Sequence, residues 1–90
     1  MPKTKIGKHQ KHEKDLKAFI NRTKKNEHVD KIILGRCYNT RHSSSPGTVV
    51  FKKDISNGIQ CSAYTHLGLR DIFIYCKSEF REVLKTKLFL

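Results

Sequence analysis

The stretch HEKDLKAFINRTKKN (12–26) returns Leu16, Phe19, Ile20 and Thr23 to one side of a helix, with charge around the rest of the circumference. Lys24 and Lys25 are placed to meet the negative end of that helix, which is expected to stop near Asn26. The period then changes. VDKIILGRCY (29–38) is rich in β-branched residues and reads as a strand buried on both faces along its middle. TVVFKKDI (48–55) reads as a second strand. Asn57-Gly58 is a strong hairpin signal, because both central positions of a type I′ turn need positive φ. IQCSAYT (59–65) alternates, with Ile59, Cys61 and Ala63 on one face and Gln60, Ser62 and Tyr64 on the other. A turn at Leu67-Gly68 leads into a fourth strand, RDIFIYC (70–76). SEFREVLKTKLF (78–89) then has Ser78 as its expected N-cap and Glu79 and Glu82 in its first turn. Phe80, Leu84 and Leu88 follow at helical spacing.

The predicted order is α-β-β-β-β-α, an α+β fold. With two amphipathic helices and mostly tight turns, an antiparallel sheet with both helices on one face is the economical arrangement. Residues 1–8 lack periodicity and are expected to form a flexible basic tail, leaving 9–90 as a single domain. The opposite sheet face is expected to stay wet.

Charge changes this picture most. The 90 residues carry 19 Lys and Arg against 8 Asp and Glu, a net +11. A field this one-sided favours polyanionic partners. The surplus is uneven, since residues 1–25 hold nine Lys and Arg against only Glu13 and Asp15. No apolar run is long enough to span a membrane, and no apolar segment follows the basic start as a secretory signal requires. The expected location is cytoplasmic, with no membrane partner.

CYNTRHSSSPG (37–47) concentrates phosphate-binding chemistry. Arg36 and Arg41 flank the hydroxyls of Thr40, Ser43, Ser44 and Ser45, and Gly47 lets backbone approach closely. Arginine forks and hydroxyls are the groups that contact phosphate oxygens. Lys52, Lys53 and Arg70, with Lys24 and Lys25, are expected to continue this loop into one basic surface. The set expected to meet nucleic acid is therefore Lys3, Lys5, Lys8, Lys11, Arg22, Lys24, Lys25, Arg36, Arg41, Ser43, Ser44, Lys52, Lys53 and Arg70. Tyr38, Tyr64, Phe73 and Tyr75 are candidates for base stacking, although core packing is the expected use of Phe73. No RNP-type motif is present. The double-stranded-RNA-binding order is approached, but SEFRE is acidic where that domain carries lysines.

Catalysis finds little here. There is no Gly-rich phosphate loop and no G-x-S-x-G elbow. Cys37 or Ser45 beside His42 lacks a third member, so no enzyme activity is expected.

Three cysteines, an odd number, argue against a disulfide framework. Cys37-x4-His42 and Cys61-x4-His66 repeat one spacing, and His9 and His12 sit one helical turn apart. His9, His12, Cys37, His42, Cys61 and His66, with Cys76 in addition, are thus candidate zinc ligands. Strand parity offers an apolar use for the same thiols, because Cys61 shares a face with Ile59 and Ala63. KHQKH before the helix, VDKIILGRCYNTRHSSSPG, NGIQCSAYTHLG and DIFIYC together resemble a small prokaryotic family described as predicted metal-binding proteins, over about residues 8–77. His9 and His12 match its H-x-x-H pair, and Arg36, Arg41, Ser45 and Pro46 match its basic loop. The resemblance implies metal binding and implies no activity.

The sequence therefore reads as a small RNA-binding protein, such as a ribosomal or other ribonucleoprotein component beside neighbouring proteins. It would bind the phosphate backbone and require no cofactor. A zinc-binding module, with or without hydrolytic activity, is the second reading, and a binder of acidic protein surfaces the third.

Overall fold

Leu16, Phe19 and Thr23 are buried along one side of helix α1 (Lys8–Lys24), as their spacing predicts. Thr23 tolerates full burial because its Oγ1 donates to the Phe19 carbonyl at 2.7 Å. The computed structural model describes residues 8–39 and 45–89, and side chains from residue 12 onward. The expected tail of residues 1–8 lies outside these, except for Lys8, which opens α1.

After α1 come strands β1 (Lys31–Tyr38), β2 (Val49–Ile55), β3 (Gly58–Thr65) and β4 (Gly68–Tyr75), a 3-10 turn (Ser78–Phe80) and helix α2 (Arg81–Phe89). The strands form one antiparallel sheet in the order β1-β4-β3-β2. The last three strands are successive hairpins, so β1 has only an outer edge to join and takes that of β4.

Ile59 lies opposite Ile74 and Cys61 opposite Ile72. These four, with Ala63, meet Leu16 and Phe19 of α1 and Leu84 of α2 in the core. Phe89 bridges the two helices and β2, its ring 6.2 Å from that of Phe19 and 6.0 Å from that of Phe51. Both helices thus cover one face. Because directly opposed residues share a face, Tyr64, Phe73 and Tyr75 fall on the other. Neither Phe73 nor Tyr75 joins the core or the side chains packed around it, which corrects the expectation that Phe73 is a core residue.

Three local expectations are also corrected. β1 is an edge strand rather than one buried on both faces, and Ile33 and Leu34 are 40% and 45% exposed. The hairpin at Ser56-Asn57 forms, but not as a type I′ turn, because no described non-glycine residue has positive φ and Gly58 is not among the positive-φ glycines. Gly58 is needed for another reason: a Cβ there would run into the Ile74 carbonyl. Ser78 does not cap a helix. It begins the 3-10 turn, whose N-cap is Lys77 with no side-chain cap.

Gly58→Ala is expected to lower the unfolding free energy by about 1–3 kcal/mol, the usual cost of forcing a carbon into a packed position. Val50→Ala, on the exposed face, should stay within about 0.5 kcal/mol. Urea titration of both variants checks the register; equal stabilities would show it to be wrong.

Candidate nucleic-acid interface

Most of the positive charge among the described residues is not paired with a carboxylate. Among the described residues, ion pairs within 4.0 Å involve only Lys85, with Glu82 at 2.8 Å and Asp54 at 3.2 Å, and His66, with Glu13 at 3.7 Å. The Glu82 hydrogen bond, then Asp54, raises the Lys85 pKa above its ordinary value. That lysine serves the fold, tying α2 to β2. Arg81 does likewise, donating from Nη2 to the Ser56 carbonyl at 3.2 Å.

The remaining cations divide by position. Arg36 sits in an irregularity of β1 between Leu34 and Cys37, and Lys52 in one of β2 between Phe51 and Lys53. Both strands are sheet edges. Bulges and charged side chains on edges keep sheets from pairing with one another, so Arg36, Lys52 and Lys53 have an architectural use that needs no ligand. They also stand apart: three strand spacings, roughly 14 Å, separate β1 from β2. Arg70 is a β4 residue opposite Ala63, on the helix-covered side, half-buried with its Nε sealed from solvent and unpartnered.

The C-terminal end of α1 differs. Arg22, Lys25 and, from the last turn of α2, Lys87 converge on an open cleft of about 400 Å³, bordered by Asn26, Glu27 and Leu88. Arg22 is held over the Phe19 ring, 5.6 Å from its centroid. Each helix end gains from a nearby cation, but convergence from two helices on one cavity exceeds what either end requires. One carboxylate, Glu27, shares the cleft with three cations. Lys24 turns to a second groove of about 300 Å³ with Lys17, Ile20, Asn21, Ile32 and Leu34. Spacing along α1 hid this arrangement, since Lys87 is 62 residues from Lys25 and nothing local links them.

Of the expected continuous surface from the loop to Lys24 and Lys25, residues 40–44 lie outside the described residues. Gly47, at the loop's end, lies against the first half of α1, beside Asp15 and His12. Lys24 and Lys25 lie 9 to 13 residues further on, about 14–20 Å away at 1.5 Å per helical residue. Lys3, Lys5, Arg41, His42, Ser43 and Ser44 lie outside the described residues, and Lys8, His9 and Lys11 are described only as helix backbone.

Compared with protein-family models, curated proteins and solved structures, this chain matches none. The likeness to predicted metal-binding proteins thus rests on its short sequence segments alone.

The described part of the metal set does not fit a shared ion. No group of three His, Cys, Asp or Glu among the described residues is placed to hold one. Cys61 is fully buried, and burial pushes its pKa from 9.0 to about 12, which keeps the thiol protonated and a poor ligand. Cys37 pairs with Arg70 on β1 while Cys61 faces Ile72 on β3, two strands away. His66 faces Glu13. His12 keeps a sealed, unpartnered Nδ1 near Gly47.

Because the folded pKa of Cys61 exceeds the unfolded one, its contribution to stability is intact below pH 9.0 and is lost as pH rises toward about 12. Unfolding titrations should show an alkaline decline of up to about 1.4 kcal/mol per pH unit from this group. Cys61→Ala should make that decline shallower by this increment; an unchanged slope would place the thiol outside the core.

Proposed function

We propose that this protein binds RNA through its phosphate backbone, as a small basic component of a ribonucleoprotein such as the ribosome. The observation that carries the reading is the cleft between the helix ends, where Arg22, Lys25 and Lys87 converge with no carboxylate among the described residues within ion-pair distance. Like charges on one cleft repel one another, and with a single carboxylate, Glu27, beside three cations the surplus is stabilised by an external anion. Phosphate oxygens suit both an arginine fork and lysine ammonium groups. No helix among the described residues is long and apolar enough to cross a membrane.

Binding of this kind releases condensed counterions, so affinity falls steeply with salt. Replacing Arg22, Lys25 and Lys87 together by Gln should weaken binding to a mixed-sequence RNA. It should also reduce the slope of log affinity against log salt by about 2, roughly 0.7 for each phosphate no longer neutralised. Fluorescence anisotropy between low and moderate salt measures it. Salt-insensitive binding, or a variant with the wild-type slope, would remove the cleft from the interface.

A further inference from the structure

The face of the sheet away from both helices holds chemistry that backbone binding does not use. Following the register, one row across the four strands reads Lys53, Gln60, Phe73 and Ile33, and the next Ile55, Gly58, Tyr75 and Lys31. On the other side of Phe73 lie Ser62 and Asp71, and beyond these Tyr64 and Tyr38. We infer that this face is a stacking platform for the bases of single-stranded RNA, an inference that rests on the RNA-binding reading above.

Three observations carry it. No described helix covers Phe73 and Tyr75, which are half-buried and lie two residues apart on β4, about 6.6 Å along the strand. A Cβ on Gly35 would come within 2.9 Å of Phe73 Cε2, so the ring reaches diagonally over a position that has no side chain. Opposite Phe73 lies Gln60, and one row further Ser62, only 7% and 8% exposed although neither described helix packs on that face. Their side-chain polar groups make no hydrogen bond to another described residue, and an amide and a hydroxyl so placed can read base edges.

Charge orients the ligand. The middle of the face holds a carboxylate, Asp71, which accepts from the Tyr38 hydroxyl at 3.1 Å and has no cation among the described residues within ion-pair distance. Desolvation and that carboxylate raise the Tyr38 pKa, so the phenol stays a donor. The cations stand at the margins: Lys31 on the β1 edge, 5.3 Å from the Tyr75 ring centroid, and Lys53 on the β2 edge. A single strand fits this pattern with its bases inward on the rings and its phosphates outward at the lysines. Duplex RNA, with its bases already stacked on each other, presents no free π-face to it. A second copy of this chain would bring two Asp71 carboxylates together, and an acidic protein would meet Asp71 at the centre.

The chain has three tyrosines, Tyr38, Tyr64 and Tyr75, all on this face, and no tryptophan. Tyrosine emission of the full chain therefore reports on this face alone. A single-stranded RNA 12-mer should quench that emission, and a 12-base-pair duplex should not. Phe73→Ala should weaken single-strand binding at least about fivefold, and Phe73→Ala with Tyr75→Ala at least about 25-fold. Duplex affinity should change less than twofold, and circular dichroism should show the wild-type fold. Phe73→Tyr should restore binding to within about twofold, because it keeps the ring. RNA binding that persists without quenching, and without loss in the double variant, would overturn the platform while leaving the backbone reading intact. No binding to either RNA at low salt would overturn both. A dimer in light scattering that these substitutions dissociate would assign the face to self-association instead and overturn the inference.

Discussion

Two short helices can cover one side of a four-stranded sheet and no more, and the rest of this structure follows from which side they cover. The choice is made where β3 and β4 pair. Ile59 against Ile74 and Cys61 against Ile72 put four fully buried side chains on one surface, and Leu16, Phe19 and Leu84 close over them. A shift of one residue in that register would send Phe73 and Tyr75 under the helices and leave the isoleucines in water. Burying rings in place of isoleucines would also change the volume that Leu16, Phe19 and Leu84 have to fill.

That constraint sorts the polar residues as well. Lysines that would be costly under the helices are pushed to the strand edges, the solvent side and end of α1, and the turns. Asp54 shows the exception: the β2 irregularity brings it opposite Ile59 on the covered side, and Lys85 of α2 meets it there. Its ammonium nitrogen also lies 4.8 Å from the Phe51 ring centroid, so one lysine both answers a carboxylate and sits over an aromatic ring. Few other cations are tied down in this way, which is why the surplus remains available to a partner.

Much of the architecture was legible from periodicity. The α1 stripe, the alternation along β3 and the order of elements each follow from a local pattern whose burial agrees with it. Parity along β4 was not legible. Ile72, Phe73, Ile74 and Tyr75 are apolar on both sides, so hydrophobicity alone cannot say which pair faces the helices; the pairing with β3 decides. VDKIILG looked like a central strand for a related reason. Its edge position comes from two successive hairpins pairing β2, β3 and β4 with one another, which is a property of chain connectivity and not of those seven residues. Asn57-Gly58 marked its turn correctly through a different cause, close approach to Ile74 rather than positive φ. Arg22 and Lys25 stand among the cations expected to meet nucleic acid, but their companion Lys87 does not. It belongs to another element and could be found only once α1 and α2 were seen side by side.

Distance between the two basic groups bears on how one RNA would be held. The helix-end cleft and the open face belong to different sides of the sheet, but they share an end. α1 finishes where β1 begins, so Lys25 lies six residues from Lys31, whose ammonium stands over Tyr75. A strand with its bases on Phe73 and Tyr75 leaves the face at that corner, and its next phosphates run toward the helix ends. On the RNA-binding reading proposed above, the two surfaces would act through one ligand: the cleft would contribute salt-dependent affinity without regard to sequence, and the rings would select unpaired bases. Linkage follows from this geometry, because holding the phosphates in the cleft raises the local concentration of bases at the face.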